Sequence, residues 1–288
     1  MHQIADPAAG AVIAGRYRLH SRIARGGMGT VWQAFDEVLG RWVAAKQYDV
    51  AAQHSDLPRP LALAQREGRI AGRFSLHGVV RIFDLAVHHD SPWLVMELLS
   101  GWSLATEIAG RGRLTAGRTT TIAGALLTVL EALHADGVIH RDIKPANVQL
   151  TAADDVVLLD FGIAVDRCRR PAERTAFPAG SPAFVAPEVF AGAPFSPATD
   201  LYALGVTLFC AAEGHLPFPG AAWAEPLVEA RPTFRYAGAL DTLIGGLLKL
   251  DPCERLTAAE AFACWLDAVA AQQQPGEGRH RSDMRDAS

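Results

Sequence analysis

The residues His140-Arg141-Asp142-Ile143-Lys144-Pro145-Ala146-Asn147 put a carboxylate, two cations and an amide into one short run behind the apolar Gly137-Val138-Ile139. A carboxylate such as Asp142 can accept a hydroxyl proton. Lys144 can neutralise a transferring phosphoryl group, and the Asn147 carbonyl is a hard ligand for a divalent cation. Asp160-Phe161-Gly162 follows behind the apolar run Val156–Leu159. A carboxylate at a strand end, with glycine close behind it, suits Mg²⁺. Upstream, Gly26, Gly27 and Gly29 cluster in Arg25-Gly26-Gly27-Met28-Gly29-Thr30-Val31. Such a turn can bring backbone N–H groups against phosphates, or make an ordinary hairpin. Lys46 closes Val43-Ala44-Ala45-Lys46. It either snorkels from an apolar strand or points its ammonium at phosphates. In the second case it needs an acidic partner, and Glu67 is the candidate, its alternative being a surface helix charge.

The elements that must hold these groups fall into two textures. From Tyr17 to Glu97 the chain has short runs rich in Val, Ile, Trp and Phe, at 17–23, 30–35, 42–48, 79–87 and 93–97, separated by polar or Gly-rich turns. These predict strands. One helix is predicted at 61–74 behind the breakers Pro58 and Pro60. After Gly101, Ala- and Leu-rich segments with helical spacing dominate, at 103–109, 116–135, 198–213, 240–249 and 257–272. The expected organisation is a flexible leader over 1–15, a strand-rich lobe over 16–96, a connector over 97–101, a helical lobe over 102–271, and a polar, disordered tail over 272–288.

Composition narrows the function classes. Of 288 residues half are hydrophobic, which excludes disorder for most of the chain. Lys plus Arg is 27 against 31 Asp plus Glu, a net charge of -4, so no basic excess points to nucleic acid. Four scattered cysteines form no C-x-x-C pair, which argues against a disulfide framework or a structural zinc and fits a reducing compartment. No signal peptide and no apolar run of membrane-spanning length is legible, so a cytoplasmic location is expected.

Taken in order, the motifs resemble those of the bacterial eukaryotic-like serine/threonine protein kinases. The ordered set comprises the Gly26–Val31 loop, Val43–Lys46, Glu67, His140–Asp142 with Lys144 and Asn147, Asp160–Gly162 and Ala186-Pro187-Glu188. Asp200-Leu201-Tyr202-Ala203-Leu204-Gly205, Gly214-His215-Leu216-Pro217-Phe218 and Asp251-Pro252-Cys253-Glu254-Arg255 then follow in the family's order. The resemblance spans roughly 16–271 and implies an α+β, bilobal protein-kinase fold.

It also implies roles. ATP, as phosphoryl donor, would be contacted by Ile23, Gly26, Gly27, Met28, Gly29, Val31, Ala44, Lys46, Met96, Glu97, Leu99 and Gln149. Within that set Met96 is the gatekeeper and Glu97 to Leu99 the hinge. Lys46 would hold phosphates and pair with Glu67. Asn147 and Asp160 would hold Mg²⁺ or Mn²⁺. Asp142 would orient and deprotonate the acceptor hydroxyl, and Lys144 would stabilise the phosphoryl group in the serine/threonine manner. Arg141, Thr175 and Ser181 would be regulatory, with Thr175 the autophosphorylation site and the Ser181 hydroxyl close to Asp142 and Lys144. Glu188 and Arg255 would form a buried structural pair. The implied partners are protein substrates with Ser or Thr acceptors, not nucleic acid, with a homodimer as the arrangement for phosphorylation in trans.

Two departures stand out. Ala24 replaces the first loop glycine, and Gln149 puts an amide where an apolar floor under adenine is expected, a cost unless the amide finds partners. They motivate an alternative, a pseudokinase acting as a nucleotide-sensing binding module. A small-molecule phosphotransferase is weaker, because the segment before Glu188 resembles a peptide platform.

Overall fold

A computed structural model describes residues 9–26, 29–48, 60–167, 181–218 and 232–273. Gly27, Met28 and Thr175 lie outside the described residues, as do positions 1–8 of the expected leader and the tail from 274 onward.

The first lobe is a six-stranded antiparallel sheet with one helix. In chain order it comprises β1 (Val12–Ile13), β2 (Tyr17–Gly26), β3 (Gly29–Asp36), β4 (Arg41–Tyr48), α1 (Pro60–Ala71), β5 (Ile82–His88) and β6 (Ser91–Glu97). The strands lie in the order β1-β2-β3-β4-β6-β5. On β3 the period-two pattern is complete: Thr30, Trp32, Ala34 and Asp36 are buried, and the residues between them are half-buried. Trp32 and Ala34 join Ile13, Tyr17, Leu19, Val43, Ala45, Trp93 and Val95 in a small core on one face of the sheet.

Within the expected leader over 1–15, the described end carries a strand. Val12 and Ile13 pair with Arg18 and Tyr17, and Ile13 is fully buried. The apolar pair covers core surface that an open sheet edge would leave wet.

The second lobe begins with β7 (Trp102–Ser103) and α2 (Leu104–Arg111), then α3 (Ala116–Ala135) and β8 (Val138–Ile139). Next come β9 (Val148–Leu150), β10 (Val156–Leu158), β11 (Val165–Asp166) and α4 (Pro187–Phe190). It closes with α5 (Pro197–Glu213), α6 (Asp241–Leu247) and α7 (Ala258–Gln273). Helix α5 is the hub. Every residue from Thr199 to Glu213 is buried, as expected of a helix apolar nearly all round. Its start is defined by a capping box between Ser196 and Thr199 with Pro197 in the first turn, and its end by Gly214 in the left-handed conformation.

Several boundaries move for physical reasons. The strand expected over 79–87 starts only at Ile82. Val79 and Val80 belong to the core of the helical lobe, where Val80 N donates to the Leu158 carbonyl and Leu158 N to that of Gly78. The helix expected to reach residue 74 stops at Ala71, where glycine follows. That expected over 240–249 is a 3-10 turn, Gly238–Leu240, followed by α6. Among the described residues no helix is long and apolar enough to cross a membrane.

Candidate active site

Helix α1 buries Leu63, Ala64, Glu67, Ile70 and Ala71. That spacing of three and four puts Glu67 on the inward stripe, among apolar neighbours. Opposite it, β4 presents Lys46, which pairs with Val31 on β3 and Leu94 on β6, whereas Ala44 pairs with Met96. By this register Val31, Ala44, Lys46 and Met96 share one face of the sheet. The Lys46 ammonium donates to both Glu67 oxygens, at 3.1 and 2.8 Å, and to Asp160 Oδ1 at 2.9 Å. The Tyr48 hydroxyl donates to the same Glu67 carboxylate.

The electrostatics follow from burial and pairing. Burial alone would lower the Lys46 pKa, but Glu67 and Asp160 outweigh it and the net shift is upward, so Lys46 is an ammonium. Burial pushes Glu67 up, with Lys46 opposing. Burial also pushes Asp160 up, but there the Lys46 charge and the hydrogen bonds from Lys46 and Gly162 win, and the carboxyl is held below its ordinary range. Burial and the neighbouring Glu67 push the Tyr48 phenol far up, so it stays a neutral donor.

Past β8 the chain turns sharply. Arg141 and Asp160 both have positive φ, 71° and 62°, each a strained conformation for a side-chain-bearing residue. Asp200, buried on α5, holds the first turn in place. Its Oδ2 accepts from His140 N at 2.8 Å and its Oδ1 from Arg141 N at 2.9 Å, while His134 Nε2 lies 2.9 Å from Oδ2. The His140 ring accepts from Asp142 N through Nδ1 at 3.3 Å, which leaves Nε2–H to donate to the Leu159 carbonyl at 3.1 Å. Burial lowers the His140 pKa against three nearby carboxylates, so the ring is a neutral spacer.

Asp142 sits at the end of this turn. Lys144 Nζ donates to its two oxygens at 2.9 and 2.7 Å, and Asn147 Nδ2 to its Oδ2 and its carbonyl, both at 2.8 Å. Asn147 uses its amide nitrogen in this way, so its side-chain oxygen is left for another partner. The Asn147 backbone carbonyl accepts from Leu159 N at 2.8 Å, which fixes this segment beside Asp160. Among the described residues no group of three or more His, Cys, Asp or Glu could enclose a metal. The Asn147 oxygen and the Asp160 carboxylate are instead a sparse, hard donor pair of the kind Mg²⁺ uses when substrate phosphates supply the remaining ligands.

The structure thus brings together Lys46, Glu67 and Asp160, and beside them Asp142, Lys144 and Asn147. Gly29 has φ 144°, and a Cβ there would meet the Gln47 carbonyl oxygen at 1.8 Å, so the close approach of β3 to β4 requires glycine. Gly101, at the end of the connector, is equally constrained: φ is 89° and a Cβ would lie 2.1 Å from the Leu150 oxygen.

Other expected site residues are differently engaged. The Glu97 side chain accepts from Arg81 N and Nε at 2.8 and 3.0 Å. Gln149 donates its amide to the Ser100 carbonyl at 3.3 Å, so the desolvation cost expected of it is offset. Ile23 is half-exposed beside a register shift in β2, and Leu99 packs on the helical core. The Arg141 guanidinium lies over the Phe195 ring at 4.2 Å. Among the described residues the Ser181 hydroxyl bonds to neither Asp142 nor Lys144; Ser181 instead opens a 3-10 turn, its carbonyl accepting from Phe184 N.

Two contributions escaped the sequence reading: Tyr48 altogether, and the role of Asp200, which appears there only as part of a motif. Tyr48 follows Lys46 by one strand period, so it shares its face. Asp200 is an acid in the first turn of an otherwise apolar helix, a position that demands a buried partner.

Comparison with known proteins is in line with this geometry. The model of the protein kinase domain matches residues 17–266. Serine/threonine-protein kinase PknA of Mycobacterium tuberculosis is 35% identical over 75% of this chain and 51% of its own length. PknK of the same species is 41% identical over 67% of this chain and 17% of its own. Serine/threonine-protein kinase pkn3 of Myxococcus xanthus is 32% identical over 92% of this chain and 52% of its own. The chain therefore spans about half the length of the first relatives it matches.

Proposed function

This chain belongs to the protein kinase domain family, and on that premise we propose that it transfers the terminal phosphoryl group of ATP to serine or threonine hydroxyls of proteins. The observation that carries the proposal is the Lys46–Glu67–Asp160 ion cluster lying beside Asp142, Lys144 and Asn147. Phosphoryl transfer is mainly a matter of positioning and charge neutralisation, and this is a pre-set array of both.

Each residue then has a task. Lys46, fixed by Glu67, binds donor phosphates by turning the N–H now on Asp160 toward them, since its three N–H groups all meet carboxylates here. Asp142 orients the acceptor hydroxyl and takes its proton as the new oxygen–phosphorus bond forms and the bond from the γ-phosphorus to the bridging oxygen breaks, releasing ADP. Lys144, already on Asp142, faces the transferring group with positive charge. Asn147 and Asp160 would hold Mg²⁺ or Mn²⁺, which when bound neutralises phosphate charge. Lys144 follows Asp142 as in the serine/threonine type, and the three relatives cited carry that description in their names.

Within this reading Thr175 is the activating phosphosite. Its support is the sequence, since it lies outside the described residues: Arg141, Arg167, Arg169, Arg170 and Arg174 form a cationic setting that a phosphate would neutralise. The kinase acts in the cytoplasm, where ATP and reduced thiols fit its composition, and phosphorylation in trans between two copies is the expected activating encounter.

The test is label transfer from ATP to the protein and to Ser- and Thr-containing substrates, with Mg²⁺ or Mn²⁺, for wild type and Asp142→Asn. Transfer lost in the variant supports the proposal. Nucleotide binding without any transfer by the wild type replaces it with the binding-module reading.

A further inference from the structure

Arg73 stands just past the end of α1 and reaches across to the helical lobe. Its guanidinium donates to Asp166 Oδ2 at 2.6 Å and also to Asp136. Asp136 is the C-cap of α3, its N–H bound to the Ala132 and His134 carbonyls, and through Gly137 it leads into β8. Asp166 ends β11, paired with Val138 on β8, and the next residue, Arg167, donates its N–H to the Gly137 carbonyl at 2.9 Å. One cation therefore grips both chains of the β8–β11 ladder.

The position of that ladder matters more than the strength of the pair. Strand β8 runs directly into His140-Arg141-Asp142, and β11 leaves Asp160-Phe161-Gly162. At the other end of the contact, α1 carries Glu67. Its other contacts with the helical lobe include apolar packing of Ile70, Ala71 and Phe74, and the link from Glu67 through Lys46 to Asp160. Apolar packing sets distance but allows sliding and rotation, whereas a planar guanidinium shared by two carboxylates sets direction. The Asp166 side chain is only 11% exposed, so this end of the contact is shielded from solvent.

We propose that Arg73 is a positioning residue that clasps α1 to the β8–β11 ladder, so that Glu67 stays on Lys46 only while β11 keeps its register against β8. It rests on the protein kinase reading above for its consequence in catalysis, but not for its geometry. The clasp makes the start of the segment after Asp160-Phe161-Gly162 a lever on α1. A rearrangement that draws the Asp166 carboxylate off Arg73 frees the helix that orients Lys46. Two alternative packings of one element, biased from a distant segment, are the physical content of such coupling.

The test compares wild type, Arg73→Gln, Arg73→Lys, Asp166→Asn and the Arg73→Gln/Asp166→Asn double variant by steady-state kinetics and by hydrogen exchange of the α1 amides. Loss of the clasp lowers the share of molecules with Glu67 in place and so loosens Lys46, one of many ATP contacts, while the others on the sheet and connector stay as they are. Each single variant lacking the pair is therefore expected to lose about tenfold in kcat while KM for ATP changes less than about twofold. Exchange in α1 is expected to rise about tenfold, Arg73→Lys to recover part of the loss, and the double variant to be no worse than the poorer single. If Arg73→Gln fails to fold, Asp166→Asn, which removes one charge at a strand end, carries the comparison. Unchanged α1 exchange, an intact kcat, or losses that multiply in the double variant would overturn the clasp. If the wild type transfers no phosphoryl group, the activity reading alone falls, and the exchange comparison still decides the clasp.

Discussion

Replacing Asp200 by alanine removes one carboxylate that serves three donors. It is 1% exposed, and the backbone N–H groups it binds, of His140 and Arg141, belong to buried residues. Neither N–H has a route to water in the folded state. An orphaned buried donor costs about 1–3 kcal/mol. Two of them, less the relief gained by local relaxation, give a destabilisation of about 3 kcal/mol. In a domain of this size that is a fall of about 6–12 °C in Tm.

The effect on chemistry comes from the same place. Asp200 supports the φ of 71° at Arg141 by pinning the two N–H groups, of His140 and Arg141, that lead into that strained turn. A non-glycine residue held there stores about 1–3 kcal/mol, and without the pin the turn relaxes. Asp142 is the next residue, and a displacement of about 1 Å at a reacting group costs on the order of a hundredfold in rate. Lys46, Glu67 and Asp160 do not touch Asp200, so nucleotide affinity should hold.

Asp200→Ala is therefore expected to lower kcat about a hundredfold while KM for ATP moves less than about threefold. Steady-state phosphotransfer and a thermal melt on the same sample check both halves. A variant that melts lower yet keeps wild-type kcat would refute the idea that Asp200 sets the catalytic turn and leave it a stabilising residue only.

Three further outcomes follow from other parts of the structure. Tyr48→Phe deletes only the hydroxyl that donates to the fully buried Glu67, and it should cost about 1.5 kcal/mol in a denaturant titration; an unchanged midpoint would show that Lys46 alone satisfies the carboxylate. Glu188→Ala leaves Arg255, whose side chain is fully buried, without its acid, at a cost of about 3 kcal/mol; kcat of the molecules that remain folded should be unchanged, and a selective loss of kcat would mean that the pair also steers the site. Stability should also fall on mild acidification. The folded-state pKa of His140 lies below its ordinary 6.5 because the ring is buried, so the unfolded chain binds the extra proton first. The contribution is present above pH 6.5 and is lost progressively as pH falls from there through the lowered folded-state pKa. Thermal melts between pH 8 and 5 should show this slope in wild type and a shallower one in His140→Phe; equal slopes would exclude His140 as its source.

Local pattern was enough to place most of the elements and, with the family resemblance, to single out the candidate reacting groups. The alternation Thr30, Trp32, Ala34 declares a half-buried strand, and the segment behind Pro58 and Pro60 declares a helix, but whether Glu67 faces inward or out to solvent is decided only by the joint burial of Leu63, Ala64, Glu67, Ile70 and Ala71. Such periodicities depend only on backbone geometry, so they are written in neighbouring residues. The Asp142–Asn147 run and Asp160-Phe161-Gly162 are legible for the same reason, since each group works within a few residues of the next. What the tertiary structure alone decided are the contacts between residues remote in the chain. Val79 and Val80 look like the start of a strand but are claimed by the core of the other lobe. Gln149 looks out of place until the Ser100 carbonyl meets it, Ser181 opens a 3-10 turn through its backbone carbonyl, and Val12 and Ile13 of the supposed leader complete a sheet. Tyr48 on Glu67, Asp200 beneath the catalytic turn and Arg73 across the lobes belong to the same class. A buried polar group must find a partner, but which one it finds depends on how whole elements pack, and that packing is a property of the complete fold.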